Sequence, residues 1–262
     1  MSADSRLRLS GSDRALFASD MHLGDHDPQT AELFFSSLAS HTGAITHLFL
    51  LGDIFEAWVG DDQPDQVAAQ LCDSLSGLAA RGVRVLLMRG NRDFLLGVVQ
   101  RNGAAASWPA RCNAELLQDP TVVDLFGAQV LLAHGDAWCT DDHDYQRFRT
   151  EVRTPSWQQA FLARPLDERL AIARAMREQS ERNKLQNDPG DVSGDAVARE
   201  LEAAHATRVL HGHTHRPGRY PLPKHRQSAE PPERWVLTDW LGASGRGGWL
   251  AVSRNGWERF EA

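Results

Sequence analysis

No stretch of the chain approaches the roughly 18 consecutive apolar residues of a membrane-spanning helix, and its first thirteen residues are polar, without an apolar export core. Neither an integral membrane protein nor a chain with a signal peptide is expected. Cysteine is scarce. Cys72, Cys112 and Cys139 are odd in number, far apart and lack a CxxC spacing, so neither a disulfide framework nor a zinc ribbon is expected, and a reducing compartment is. Positive charge is also in deficit. With 28 Lys and Arg against 35 Asp and Glu, the formal charge is −7, which argues against a broad footprint for DNA or RNA. Repeats and low-complexity tracts are absent as well, which excludes solenoids and arrays.

What is present is an alternation of strand and helix patterns. The 262 residues suffice for one large domain, or for one domain with an insertion. Buried strands are predicted at residues 15–19, 45–51, 83–88, 130–133 and 208–211, and helices at residues 30–40 and 66–80. This is an α/β layout. After His134 the rhythm changes, with helices predicted at residues 145–152, 156–162 and 167–183 and no strand between them. Residues 140–195 therefore read as a helical insertion, and residues 1–139 and 196–262 as the core. Asn187-Asp188-Pro189-Gly190-Asp191 breaks the last of these helices, and another from Ser193 to Ala204 leads back. Pro221 to Arg234 reads as an exposed loop, followed by late antiparallel strands around residues 235–237 and 249–252 that would complete a second sheet.

Five short segments carry the chemistry: Asp20-Met21-His22, Gly52-Asp53, Gly90-Asn91-Arg92-Asp93, His134-Gly135-Asp136 and Gly212-His213-Thr214-His215. Each follows a predicted strand, so their side chains are expected to converge along one sheet edge. A carboxylate shared between two divalent cations holds them about 3.5–4 Å apart, a spacing suited to clamping a phosphoryl displacement. Asp53 is the expected bridge. Asp20, His22 and His215 would complete one ion's ligands, and Asn91, His134 and His213 the other's. This mixture of oxygen and imidazole suits Mn, Fe or Zn better than Ca or Mg alone. His47 and His211 read as packed or solvated imidazoles. Asp93 and Asp136 read either as carboxylates orienting the ligating histidines and the Arg92 turn, or as helix and turn caps.

Taken together and in this order, the five segments resemble the calcineurin-like metallophosphoesterase superfamily. The resemblance implies a four-layer α/β/β/α core with two facing sheets, here with a helical cap insertion. In most members the third motif is GNH, whose His helps protonate the leaving group; here that place is Arg92. Arginine cannot supply a proton but can stabilise spreading negative charge. The phosphate leaving from a pyrophosphate is weakly basic and needs a general acid less than an alkoxide does, so Arg92 points to pyrophosphate cleavage. Loss of the acid in a degenerate site is the alternative.

Longer phrases narrow the resemblance. Leu51 to Asp62 (LGDIFEAWVGDD), Arg89 to Gly97 (RGNRDFLLG), and His134-Gly135-Asp136 continuing into Cys139-Thr140-Asp141-Asp142 look like the UDP-2,3-diacylglucosamine hydrolases of lipid A synthesis. That family implies two Mn2+ per chain, with other divalent ions as alternatives. It also implies a peripheral position at the cytoplasmic face of the bacterial inner membrane, and conversion of UDP-2,3-diacylglucosamine to lipid X and UMP by water attacking the α-phosphorus. Asn91, Arg92 and His134 are the implied catalytic residues. Asn91, Arg92, Asp142, Ser180, Asn183, Lys184 and His213 are the implied substrate contacts, and a monomer is expected. Lys184 also reads as a snorkelling surface residue. Tyr145 and Arg149 line the uridine side or pack the first cap helix, and neither is assigned.

In the insertion, Trp157, Phe161, Leu162, Leu166, Leu170, Ile172 and Met176 are apolar, while Arg164, Arg169, Arg174, Arg177, Arg182 and Lys184 are basic. Such a segment could cover acyl chains and meet anionic headgroups, or pack on the core with a solvated basic face. A general phosphodiesterase or phosphatase on the same core, and a non-catalytic scaffold, are the competing functions.

Overall fold

The computed structural model describes residues 7–99, 106–186, 190–222 and 231–262, with the backbone alone for residues 179–186. The chain begins with β1 (Arg8–Leu9), β2 (Arg14–Ala18), α1 (Pro28–His41), β3 (His47–Leu51), α2 (Gln66–Ala80) and β4 (Arg84–Met88). It continues through α3 (Trp108–Arg111), β5 (Ala114–Leu116), β6 (Thr121–Leu125) and β7 (Ala128–Leu132). Helices α4 (His143–Val152), α5 (Pro155–Leu162), α6 (Leu166–Gln186) and α7 (Gly194–Ala203) follow without an intervening strand. The last elements are β8 (Arg208–His211), β9 (Gly218–Pro221), β10 (Glu233–Val236), β11 (Gly248–Ser253) and β12 (Gly256–Glu261).

The helices start where side chains can satisfy their free N–H groups. Asp27, Asp65, Asp142, Thr154 and Ser193 accept from the backbone N–H groups of Thr30, Ala68, Tyr145, Trp157 and Ala196, capping α1, α2, α4, α5 and α7. Pro28 and Pro155 occupy first-turn positions, where a missing N–H costs nothing.

The strands form two six-stranded sheets, ordered β12-β11-β2-β3-β4-β5 and β1-β6-β7-β8-β10-β9. In the first, β2, β3, β4 and β5 run parallel; in the second, β7, β8 and β10 do. Side-chain alternation then sets the layers. From β2 and β3, Leu16, Ala18, Leu48 and Leu50 face Phe34 and Leu38 of α1 and Leu71, Leu75 and Leu78 of α2. The intervening Phe17, Phe49 and Leu51 instead meet Val130, Leu132 and Leu210 of the second sheet. Phe17 and Phe49 stack there at 4.4 Å between centroids. Leu131 and Val209 point outward to Val197 and Leu201 of α7. The result is the expected helix, sheet, sheet, helix stack, in which each fully buried Leu or Phe contributes about 1.5–3 kcal/mol.

Three expectations need correction. The late strands do not complete one sheet together: β10 joins the second sheet parallel to β8, and β11 joins the first antiparallel to β2. β11 suits that place because Leu250 and Val252 enter the inter-sheet layer while Trp249 and Ala251 face the helices. The expected loop at 221–234 also has paired ends, since β9 and β10 form an antiparallel hairpin; residues 223–230 lie outside the described residues, as do 187–189 of the expected helix break. Finally, Cys72 in α2 and Cys112 after α3 are joined as a disulfide, their Cα atoms 4.7 Å apart across 40 residues of sequence. Spacing alone conceals this pairing because it depends on how α2 meets α3. Cys139 is free and buried, and burial pushes its thiol up to about 12. Among the described residues no helix is long and apolar enough to cross a membrane.

Candidate metal centre

The carboxyl ends of β2, β3, β4, β7 and β8 open on one edge, where the five segments meet. Their loops are stitched together by backbone bonds: Asp20 N–H donates to Gly52 O (3.1 Å), His22 N–H to Asp53 O (3.0 Å) and Gly212 N–H to His134 O (3.0 Å). Asp20, His22, Asp53, His213 and His215 all adopt left-handed backbone conformations, with φ between 48° and 67°. Non-glycine residues enter that region at a cost, and such strain gathers where function requires it. The motif glycines clear space for these ligands. A Cβ on Gly52, itself at φ +87°, would lie 2.5 Å from His134 Nδ1, and one on Gly90 would collide with the Asp53 carboxylate.

Two donor clusters result. Asp20, His22 and His215 form one, Asp53, His134 and His213 the other, with the donor atoms of each within 4.8 Å of one another. In the first, His22 Nε2 lies 3.4 Å from His215 Nε2, and His215 Nε2 lies 3.5 Å from Asp20 Oδ1. In the second, His134 Nε2 lies 3.5 Å from Asp53 Oδ1 and 3.0 Å from Asn91 Oδ1. Asp53 also faces the first cluster, its Oδ2 lying 3.8 Å from His22 Nε2. Donors bound to one ion at about 2.0–2.2 Å are separated by about 3–4.4 Å, so both clusters fit a small divalent cation.

The electrostatics agree with that fit. Burial opposes charge on both partners, yet surrounding carboxylates, Asp53 and Asp20 first, push His134 up to about 9. His215 is more open to solvent; partial desolvation opposes its charge, and its bonds to Asp20 and Asp239 push it up to about 10. Asp20 is held well below the usual carboxylate range by His215, His134 and His22 against a strong opposing effect of burial. Such surroundings favour positive charge, supplied by protons here and suited to metal ions. His213 is the exception: burial and the neighbouring His134 push it down to about 4, leaving a neutral imidazole.

Behind the donors lies a further set of polar groups. His134 Nδ1 lies 3.1 Å from Leu51 O, and His134 N–H donates to Asp119 (3.1 Å). Asp93 accepts from the N–H groups of Gly90 (2.6 Å) and Ile54 (2.7 Å), locking the Arg92 turn to the loop after Asp53. Burial and the nearby Asp53 push Asp93 up to about 6. Asp136 accepts from Tyr145 Oη (2.5 Å), Arg149 (2.8 Å) and Arg153 (3.1 Å), fastening α4 to the site, while Arg153 also reaches Gly90 O at 3.1 Å. Tyr145 and Arg149 thus pack α4 against the core, and the Tyr145 ring also stacks on His213. His211 is buried beside Trp138, and His47 contacts Thr46; neither joins a cluster.

Sequence reasoning missed two residues. Glu56 Oε2 lies 2.8 Å from His22 Nδ1, and Asp239 Oδ2 lies 3.4 Å from His215 Nδ1, so a carboxylate stands behind each histidine of the first cluster. Asp239 had a signal: it is an acidic residue just after β10, the placement that marked the other donors. Of the expected substrate contacts, Asn91, Arg92 and His213 lie at the clusters. Asp142 lies at the start of α4, where one oxygen caps Tyr145 N–H (3.0 Å). The side chains of Ser180, Asn183 and Lys184 lie outside the described residues.

The calcineurin-like phosphoesterase family profile matches residues 14–217. A UDP-2,3-diacylglucosamine hydrolase from Chromobacterium violaceum is 48% identical over 244 residues, 92% of this chain and 95% of that protein. A protein of the same name from Cellvibrio japonicus is 43% identical over 227 residues, covering 86% and 90% of the two chains. Another, from Bordetella pertussis, is 40% identical over 251 residues, 93% of each. With this kinship and two donor clusters side by side, the chain belongs to the calcineurin-like phosphoesterase family, among its UDP-2,3-diacylglucosamine hydrolases, and is a metal-dependent hydrolase.

Proposed function

We propose that the chain hydrolyses the pyrophosphate of UDP-2,3-diacylglucosamine to lipid X and UMP in lipid A synthesis. The observation that carries this reading is Asp53, with one oxygen toward each donor cluster, beside Arg92, whose backbone N–H donates to Asp53 Oδ1 at 2.8 Å. Asp20, His22 and His215 would hold one cation, Asn91, His134 and His213 the other, and Asp53 both; manganese is the proposed ion. When bound, such a pair supplies hydroxide near neutral pH and offsets the charge of the diphosphate.

The rest falls to the chain itself. The Arg92 guanidinium offsets charge gathering on the departing phosphate, which needs no proton because it is weakly basic. Asn91 and His213 face the same phosphates, and the ring N–H that His213 keeps while holding a cation can donate there. Residues 140–195 act as the cap, with Asp142, Ser180, Asn183 and Lys184 contacting the diacylated sugar. Met176 and Arg174, exposed on α6, suit an acyl chain and an anionic headgroup, which supports peripheral attachment to the inner leaflet. Much of the remaining apolar content of this segment is turned to the core instead: Phe161 and Leu162 are buried, and Trp157, Leu166, Leu170 and Ile172 pack against the α1/α2 layer.

Turnover of UDP-2,3-diacylglucosamine by the manganese-loaded protein in oxygen-18 water tests the reading. Attack at the α-phosphorus breaks its bond to the anhydride oxygen, which leaves with lipid X, so the label enters UMP. Label in lipid X would overturn that mechanism. Turnover of p-nitrophenyl phosphate far above that of the lipid would replace the reading with a general phosphatase.

A further inference from the structure

Glu56 joins three parts of the molecule that are distant in sequence. Its Oε2 lies 2.8 Å from Nδ1 of His22, a donor of the first cluster. Its Oε1 lies 3.0 Å from Nε of Arg177, on α6, and 3.7 Å from a terminal nitrogen of Arg92. The carboxylate is only 12% exposed while Arg177 is 42% exposed, so α6 reaches down from solvent to a group at the floor of the site.

The base of α6 is held differently. Arg169 is buried, donates to Val59 O (2.6 Å) and forms a two-pronged pair with Asp62, 2.9 Å on one prong and 2.5 Å on the other. That anchor touches none of the donors. Two turns along the helix, Arg177 is the next α6 cation with a core partner, and the carboxylate it meets also serves His22 and Arg92.

We propose that Glu56 is a positioning residue that couples closure of α6 to the first donor cluster and to Arg92. One oxygen orients the His22 ring so that Nε2 faces the cluster; the other holds Arg177 and Arg92 in register. A carboxylate behind a ligating histidine fixes the ring and raises its basicity, and an ion pair in a partly buried site attracts more strongly than one in solvent. The proposal rests on the first cluster being a cation site, but not on the identity of the substrate.

The test uses the full-length manganese-loaded protein, with cation affinity read by chelator competition and closure by amide hydrogen exchange over residues 166–178. Glu56→Ala lowers the affinity for one of the two cations about 10- to 100-fold. It also raises exchange about 5- to 30-fold. Arg177→Met raises exchange to the same extent and leaves both cation affinities unchanged. Glu56→Gln keeps an acceptor for His22 but loses the charge, so it restores part of the affinity and none of the protection; it also serves if the alanine variant does not fold. Unchanged exchange in both Arg177→Met and Glu56→Gln, or unchanged affinity in Glu56→Ala, overturns the proposal. Because neither measurement involves a lipid, they stand even if the substrate assignment fails.

Discussion

The two donor clusters differ in what holds them. In the second, His134 is fully buried, its ring held by the Leu51 carbonyl at the end of β3 and its backbone N–H by the buried Asp119 carboxylate. In the first, the His215 side chain is 40% exposed and His22 is 18% exposed, and the groups behind them are the side chains of Asp239 and Glu56. Each of these carboxylates also pairs with an arginine, Arg246 for Asp239 and Arg177 for Glu56. One cluster is therefore enclosed by the core, and the other is held by side chains that also pair with half-exposed arginines. A cation at the first is expected to be the more exchangeable.

Removing the carboxylate proposed to serve both clusters has the largest effect. Asp53→Ala leaves neither cluster complete, so hydrolysis falls by about 10³-fold or more and elemental analysis finds both cations lost. A variant that keeps one cation at full affinity would break the symmetry assigned to Asp53. Next come the histidines. In metal-free protein, His134→Ala strands buried carboxylates and lowers the unfolding free energy by about 3–5 kcal/mol in urea titration. His215→Ala, at the mouth, costs about 1 kcal/mol or less. Equal losses would erase the distinction between a cluster built into the core and one held at its rim.

Asp239→Asn acts on the first cluster alone, lowering the affinity of one cation about 10- to 100-fold in chelator competition while the other stays unchanged. The smallest effect is of pH on metal-free protein. His134 and His215 are raised from 6.5 to about 9 and about 10, so their stabilising contribution is complete below pH 6.5 and is lost as pH rises through 9 to 10. The midpoint of thermal unfolding then drops by several degrees between pH 6.5 and 10. Manganese flattens the profile by taking the place of the protons, and a rise in stability over that range would contradict the assigned charges.

The central strands and the six clustered side chains were legible because parallel strands covered on both faces appear as unbroken apolar runs, and their ends carry the segments that meet. Sequence showed less where strands are short or exposed. β5 has three residues, none of them fully buried, and β12 pairs at the sheet edge with mostly exposed side chains, so neither carries a clear pattern. The basic face expected of the insertion is reduced in the structure, because Arg169 is buried against Asp62 and Arg177 reaches Glu56. Charge counted along a helix does not tell which cations find core partners. Asp142 shows the same limit, since one residue type serves both a helix cap and an expected sugar contact.

Local chemistry alone set the donor types, their order and their positions after strands, since each depends on residues within one segment and on the period of the chain. Only the tertiary structure decided which donors share a cluster, that Asp53 stands between them, that Glu56 and Asp239 stand behind two of the histidines, and that Cys72 meets Cys112. These are contacts between segments tens to hundreds of residues apart. They follow from how two sheets stack and where their loops cross, which no single stretch of chain encodes.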